Sequence, residues 1–444
     1  MNFFIKTYGC QMNERDSDSA AALLISKGYT AVDHENDADL VILNTCSVRD
    51  QAERKAIGKL GIMKRLKEEK PHMIFGIMGC MAQRCGDELL KKIPHLDFVI
   101  GTDQIHSIPE AVQSVLDGRN KVDLRERSGA DTEGIDMHRT EGLSYNAFIS
   151  IMRGCDRYCS YCIVPYVRGH ERSRNPEGIV EEAKMLVSHG VKEIMLLGQN
   201  VAAFGLDQHA PNQPDDLSPF ADLLSELVKI EGLERLRFTS PHPAYFNEKL
   251  IQTIAREDKI CKCIHLPLQS GSDRILKRMN RPYTADRYRQ IVRRLKELVP
   301  GIAFSTDVIV GFPTETEEDF RMTQDLMNEV GFDNAFIFKY SPRRGTVSAR
   351  TMEDDVPQEV KEERNQILLK DLEARQCVKN ASLVGTEQIL MVEGPSKRNP
   401  ARWSGRTDTF KLAVFEPQSS VKCGDLVKVK IVRATPMTLY GEII

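Results

Sequence analysis

The sequence has no run of about 18 apolar residues, the length a membrane-spanning helix needs. Its first residues also lack a basic stretch leading into an apolar one, so neither membrane spanning nor secretion is expected. Charge of one sign is not in excess either: 61 Lys and Arg against 64 Asp and Glu leave −3. No chain-wide attraction to a polyanion follows, and any RNA binding must come from local patches. Internal repeats and low-complexity tracts are absent.

What is present is ordinary in bulk and unusual in detail. At 444 residues, 41% hydrophobic and 28% charged, the chain suits a globular protein of two or three domains. Eleven cysteines without a secretory signal point to a reducing compartment, taken as cytoplasmic, and to metal or catalytic use.

Three of them stand at C-x3-C-x2-C spacing in Arg153-Gly154-Cys155-Asp156-Arg157-Tyr158-Cys159-Ser160-Tyr161-Cys162. Thiolates are soft anionic ligands, and iron–sulfur clusters usually take four of them. A loop offering three can hold three irons of a cubane and leave the fourth open, where S-adenosylmethionine can chelate and be cleaved. Structural zinc sites close with four ligands in paired C-x2-C units, which this loop lacks. Reduced core cysteines are the bland reading. The spacing favours a cluster.

Residues 1–124 alternate apolar runs (Phe3–Tyr8, Asp39–Asn44, Met73–Met78, Asp97–Ile100) with helical segments (Arg15–Lys27, Arg49–Glu69, Gln83–Lys92). That pattern predicts a parallel, Rossmann-like α/β domain with its sheet buried on both faces. Cys10, Cys46 and Cys80 each follow one of these strands. Sites in open α/β sheets form at the carboxyl ends of strands, so the three can converge although far apart in sequence. For one such cysteine a buried structural role would be the better reading; for three at one topological place it is not.

A polar linker is expected over Arg125–Glu141, then a second α/β region over 142–376. Its strands (Asn146–Met152, Glu193–Leu197, Arg235–Thr239, Cys263–Leu268, Ala303–Val310, Asn334–Tyr340) predict a partial TIM-type (β/α)6 barrel with its chemistry at one face. After a charged helix over Val360–Arg375, residues 377–444 change to alternating strands (Glu387–Val392, Phe410–Phe415, Leu426–Arg433). From Val378 onward ten Lys and Arg oppose six Asp and Glu, so this small all-β module is locally basic.

Four segments together resemble the radical SAM methylthiotransferase family: the C-x3-C-x2-C loop, Thr7-Tyr8-Gly9-Cys10-Gln11-Met12-Asn13-Glu14-Arg15-Asp16-Ser17, Asn44-Thr45-Cys46-Ser47-Val48-Arg49, and Gly79-Cys80-Met81-Ala82-Gln83-Arg84. The resemblance covers essentially the whole chain. It implies two [4Fe-4S] clusters, one on Cys155, Cys159 and Cys162, the other, sulfur-carrying, on Cys10, Cys46 and Cys80. It also implies S-adenosylmethionine as both radical source and methyl donor, a reducing electron donor, and an OB-like TRAM domain at the C-terminal end. The implied substrate is N6-isopentenyladenosine at position 37, in a tRNA anticodon stem-loop. Threonylcarbamoyladenosine in tRNA, or an aspartate of a ribosomal protein, is the alternative. A non-enzymatic iron–sulfur protein with an RNA-binding tail is the remote one. A monomer is expected.

Polar residues beside glycines at the barrel strand ends, Gln199, Gln269 and Asp307, are candidates for binding S-adenosylmethionine, though each also fits a turn or a cap. Arg168, Arg172 and Arg174 are candidates for a carboxylate or phosphate contact, although a charge run of this kind is more often a solvated face. Trp403 with Arg398, Arg402 and Arg406 could stack on and grip RNA; a packed hydrophobic anchor is nearly as good a reading of the Trp. Cys85, Cys261, Cys263, Cys377 and Cys423 are read as structural, as are His242 and His265.

Overall fold

The computed structural model describes residues 1–47, 50–119, 121–126, 136–139, 142–209 and 216–444, with side chains omitted at 50–52 and 54. Most of the linker expected over Arg125–Glu141 therefore lies outside the described residues, as do Val48 and Arg49 of the second motif. The chain forms two compact units. One holds residues 1–142, 148–156 and 162–174; the other holds 143–147, 157–161 and 175–444.

In the first unit the strands are β1 (Asn2–Tyr8), β2 (Thr30–Ala31), β3 (Leu40–Thr45), β4 (Ile74–Met78), β5 (Phe98–Ile100) and β6 (Val122–Leu124). They form one parallel sheet in the order β2-β1-β3-β4-β5-β6. The helices are α1 (Gln11–Ser26), α2 (Asp50–Glu69), α3 (Cys80–Lys92) and α4 (Ile108–Leu116). Alternate strand residues supply two cores. Val41, Leu43, Phe75, Ile77 and Val99 pack with Met63, Met81 and Leu89 from α2 and α3. Leu40, Ile42, Ile74, Met78, Phe98 and Ile100 pack with Ala20, Leu24, Ile108 and Val112 from α1 and α4. This double burial is why β3, β4 and β5 read as unbroken apolar runs. The helix expected from Arg15 begins four residues earlier, at Gln11, and α3 begins at Cys80 itself.

β7 (Asn146–Ser150) opens the second α/β region. β8 (Met152–Arg153) and β9 (Arg172–Ser173) form a small antiparallel pair around α5 (Val164–Arg168). That pair and α5 belong to the first unit; the second holds α6 (Pro176–Ser188), β10 (Glu193–Leu197), α7 (Pro219–Leu227), β11 (Arg235–Phe238), α8 (Glu248–Arg256) and β12 (Cys263–His265). Next come α9 (Asp273–Arg278), α10 (Ala285–Leu298), β13 (Ala303–Val310), α11 (Glu317–Val330) and β14 (Asn334–Lys339). The two three-stranded sheets, β11-β10-β7 and β12-β13-β14, are joined by a parallel bridge between Leu236 and Ile260. That is the six-stranded partial barrel expected. Its helix-facing residues, among them Ile194, Leu236, Phe304, Thr306 and Val308, are fully buried. The opposite face of β12–β14 carries Cys263, His265, Ser305, Asp307, Ile309, Phe336 and Phe338, paired in register.

α12 (Val347–Thr351) and α13 (Gln358–Ala381) lead to a closed antiparallel-rich barrel. Its strands are β15 (Glu387–Pro395), β16 (Trp403–Arg406), β17 (Leu412–Phe415), β18 (Leu426–Ala434) and β19 (Leu439–Ile443). β16 and β19 were not expected from the sequence; each is short and lacks a clear apolar alternation. The small barrel is clamped to the base of β11. Arg235 donates to the carbonyls of Arg406 (2.7 Å) and Ile389 (3.0 Å), and Arg237 to those of Thr407 and Asp408 (both 2.9 Å). Glu193 balances the buried Arg237 charge at 2.9 Å. The module is thus fixed at the amino ends of the strands, the end that serves stability in barrel folds.

Candidate functional site

The order β1-β3-β4 makes three strands neighbours, and each delivers its cysteine at its carboxyl end. The Cys10 thiol is hydrogen-bonded with Cys46 and donates to Asn13 Oδ1 at 3.2 Å. The Cys46 contact, with help from Arg168, brings the Cys10 thiol down to about 6 against the opposing effect of burial. Cys80 is packed with Ile163 and Val167, and this burial raises its thiol although Arg168 lies beside it. None of the eleven cysteines forms a disulfide.

The motif residues around these thiols form a buried amide network. Asn13 Nδ2 donates to Asn44 Oδ1 at 2.7 Å; Asn44 Nδ2 donates to the Asn13 carbonyl (2.8 Å) and to Ser17 Oγ (2.9 Å). Thr45 Oγ1 donates to the Met78 carbonyl at 3.3 Å. These bonds tie the start of α1 to the ends of β3 and β4, where unpaired polar groups would be costly. Gly79, at φ +92°, fits against them: a Cβ there would stand 2.4 Å from Asn44 Oδ1.

The C-x3-C-x2-C loop crosses between the units, and each arm is held within its own. In the first unit Cys155 N–H donates to the Gly169 carbonyl at 3.0 Å. Asp156 caps the same strand pair through the Glu171 N–H (3.1 Å) and His170 Nδ1 (2.7 Å). Gly154, at φ +80°, runs so close to His170 that a Cβ would stand 1.8 Å from its carbonyl oxygen. In the second unit Ser160 N–H donates to the Met279 carbonyl at 3.0 Å, and Asn280 Nδ2 to those of Arg157 (3.2 Å) and Tyr158 (3.0 Å). Arg281 Nη1 donates to Cys159 Sγ at 3.5 Å. Burial works against the Arg281 charge, but Tyr283, Tyr161 and Cys159 hold it firmly protonated. Tyr161 meets Phe312 edge-on at 6.4 Å.

Among the described residues no three His, Cys, Asp or Glu side chains stand at single-ion geometry. A cubane spreads its ligands over separate iron atoms, a wider spacing than one ion demands. Three neighbouring thiols beside a guanidinium, those of Cys46 and Cys80 buried, are the donor set such a cluster takes.

The other expected residues are placed as follows. Gln269 is buried at φ +64° and extends β12 along β13, its N–H donating to the Asp307 carbonyl at 2.8 Å. Asp307 is half-exposed on the same barrel face, 3.4 Å from His265 Nε2. Gln199 follows β10 and is half-buried. Arg168, Arg172 and Arg174, read as a solvated face or a ligand contact, pair within the protein: Arg168 with Asp16 (2.8 Å), Arg172 with Asp103 (2.9 Å) and Arg174 with Asp136 (3.1 Å). Trp403 is half-buried against the small barrel's core, and Arg406 pairs with Glu393 at 2.8 Å and covers Phe410. Arg402 lies 3.4 Å from Glu416, and Arg398 is exposed.

Several residues were missed. Asp16, Asn13 and Asn44 lie inside quoted motifs, so their presence was visible but not their bonding. Arg281 lies far beyond the cysteine loop with no motif to mark it. Phe336 and Phe338 expose 44% and 40% of their surface on the polar barrel face beside Asp307 and Ile309, and the strand's alternation could have shown this.

Residues 2–101 match the model of the uncharacterized protein family UPF0004, 149–327 that of the radical SAM superfamily, and 381–444 that of the TRAM domain. A tRNA-2-methylthio-N(6)-dimethylallyladenosine synthase of Akkermansia muciniphila is 44% identical, over 99% of this chain and 98% of its own. Its namesake from Moorella thermoacetica is 44% identical over 100% and 98%. Among solved structures, the radical S-adenosylmethionine methyltransferase TsrM from Kitasatospora setae aligns over 76% of this chain and 72% of its own, at a TM-score of 0.55 and 14% identity. The cobalamin-dependent radical enzyme OxsB aligns over 84% and 56%, at a TM-score of 0.52 and 12% identity. Those two likenesses concern the fold. Within the described residues no helix is long and apolar enough to cross a membrane. With matching identity along its whole length and the cysteine-bearing sheet in place, the chain belongs to the family of radical SAM methylthiotransferases that includes these tRNA-2-methylthio-N(6)-dimethylallyladenosine synthases.

Proposed function

We propose that the protein is a tRNA methylthiotransferase that converts N6-isopentenyladenosine at position 37, next to the anticodon, to its 2-methylthio derivative. The observation that carries this reading is the meeting of Cys10, Cys46 and Cys80 at one sheet edge in a chain that also holds the C-x3-C-x2-C loop. Replacing an aromatic C–H by C–SCH3 is beyond acid–base side chains and calls for cofactor chemistry.

Cys155, Cys159 and Cys162 would hold one [4Fe-4S] cluster and Cys10, Cys46 and Cys80 the second, each with one iron free of protein ligands. When bound, the clusters and S-adenosylmethionine supply radical generation, the methyl group and the inserted sulfur. The chain's own residues position and shield. Gln199, Gln269 and Asp307 are suited to hold S-adenosylmethionine at the barrel strand ends. Phe336 and Phe338 offer apolar aromatic surface on the same face, suited to a base with a five-carbon tail. The division of labour follows segments 1–124, 142–376 and 377–444, the last contributing Arg398, Arg402, Trp403 and Arg406 to RNA contact. Activity requires a reductant, and the enzyme works in the cytoplasm as a monomer.

The test is to reconstitute the clusters, add reductant, S-adenosylmethionine and hypomodified tRNA, and analyse nucleosides by mass spectrometry. Gain of one methylthio group on isopentenyladenosine is the expected result. Unchanged tRNA beside a modified ribosomal protein, or a product on threonylcarbamoyladenosine, would contradict it.

A further inference from the structure

Asp16 is fully buried in α1, six residues after Cys10. Its Oδ1 is 2.9 Å from Arg153 Nη1, and its Oδ2 accepts from Arg168 Nη2 at 2.8 Å. Both arginines are buried as well, at 1% and 4% exposure. Their places in the chain give the triad its interest. Arg153 lies two residues before Cys155 and Arg168 six after Cys162, so one carboxylate on the helix that starts at Cys10 grips both flanks of the other cysteine loop.

Arg153 and Arg168 share the single Asp16 carboxylate, and Asp136 stands 3.9 Å from Arg153 Nη2. Arg168 Nη1 has no hydrogen-bond partner of good geometry among the described residues. The guanidinium lies against the Cys80 thiol and within electrostatic reach of Cys10. A buried guanidinium with an unsatisfied N–H is costly unless an anion completes it, and a cubane on three thiolates is such an anion. Were the triad only a structural ion pair, apolar residues of similar volume could replace it with little loss.

We propose that Asp16 is a positioning residue that holds the Cys10 helix in register with both flanks of the C-x3-C-x2-C loop, and that Arg168 is the fixed counter-charge of the cluster on Cys10, Cys46 and Cys80. This rests on the ligand assignment made above. The triad stabilises the sheet-edge cluster electrostatically and fixes the Cys10 helix against the loop's flanks at Arg153 and Arg168, so losing it uncouples S-adenosylmethionine cleavage from sulfur insertion rather than stopping both.

The experiment uses full-length reconstituted protein. In a Cys155→Ala/Cys159→Ala/Cys162→Ala background, only the sheet-edge cluster reports iron content and, by EPR-monitored titration, a midpoint potential. There Arg168→Met is expected to weaken cluster iron binding about 10-fold and move the potential to a more negative value. Arg168→Lys, which keeps the charge, is expected to stay near the parent. In the otherwise native chain, Asp16→Asn is expected to raise the ratio of 5′-deoxyadenosine to methylthio product about 10-fold. Arg168→Met matching the parent, or Arg168→Lys failing as badly as Arg168→Met, would overturn the counter-charge. Asp16→Asn lowering cleavage and product in equal measure would overturn the positioning role. If single variants unfold, the apolar set Asp16→Leu/Arg153→Met/Arg168→Met is the second probe; it is expected to fold yet lose sheet-edge iron, and retention of that iron contradicts the proposal. A parent background holding no iron at all would instead remove the ligand assignment, and this inference with it.

Discussion

One cysteine trio is written in eight consecutive residues, Cys155 to Cys162; the other is assembled from the ends of three strands spread over 71 residues, Cys10 to Cys80. They are held in place by different means. The loop trio is fixed through its backbone, which bonds to the Gly169 carbonyl in one unit and to the Met279 carbonyl in the other, with the Asp156 and Asn280 side chains bonding backbone groups beside it. The sheet-edge trio is fixed by side chains, through the Asn13–Asn44–Ser17 network and the buried Asp16 triad. A set made by local spacing tolerates change around it, whereas a set made by topology depends on every residue that holds the strand ends together.

The sharpest break of that comparison is at the thiols. Cys46→Ala is expected to abolish methylthiolation while reductive cleavage of S-adenosylmethionine continues; Cys159→Ala abolishes both. Chromatography of 5′-deoxyadenosine beside mass spectrometry of the tRNA nucleosides checks this, and equal loss of both products in Cys46→Ala contradicts it.

Next in size is the buried carboxylate. Asp16→Ala leaves Arg153 and Arg168 uncompensated and should destabilise the first unit by about 3–5 kcal/mol, read from denaturant melts. The pH dependence has a definite sign. Burial alone would raise the Asp16 carboxyl, but Arg168 and Arg153 overcome it and hold it below its ordinary 3.8. Its contribution is therefore fully present above about pH 4 and is lost as pH falls through the depressed folded value. Acid titration of apo wild type and Asp16→Asn should converge at low pH; parallel curves would show that Asp16 does not set that limb.

Asn44→Ala comes third. It leaves the buried Asn13 amide without its partner, and a loss of about 1–3 kcal/mol is expected, with weaker retention of the sheet-edge iron. The smallest effect is predicted in the loop. Tyr158 sits at φ +46°, a region Asn and Gly occupy at lower strain, so Tyr158→Asn should change apo stability by less than about 1 kcal/mol. A larger drop would mean that the loop leans on side chains as much as the sheet edge does.

Much of this was legible in the chain. The apolar cores of the DLVILN and MIFGIM runs announced a doubly covered sheet, and a cysteine after each strand announced convergence. The loop spacing announced the second trio. What stayed hidden was pairwise. Nothing in a linear string says that Asp16 meets Arg153 and Arg168, or that Arg281 lies over Cys159, because these pairs are set by tertiary packing. The RGHERSR run read as a solvated face or a ligand contact, yet each of its arginines pairs with an acid of the protein. Strands β16 and β19 escaped because, in a closed barrel, short segments are defined by their neighbours more than by their own propensity.

Iron counting against cysteine deletion tests the account most directly. Reconstituted wild type is expected to bind about eight irons per chain. Cys10→Ala/Cys46→Ala/Cys80→Ala and Cys155→Ala/Cys159→Ala/Cys162→Ala should each retain about four, with distinct EPR signals that sum to the wild-type spectrum. A sheet-edge triple variant that still holds about eight, or wild type that never exceeds about four, would contradict two separate three-thiol sites.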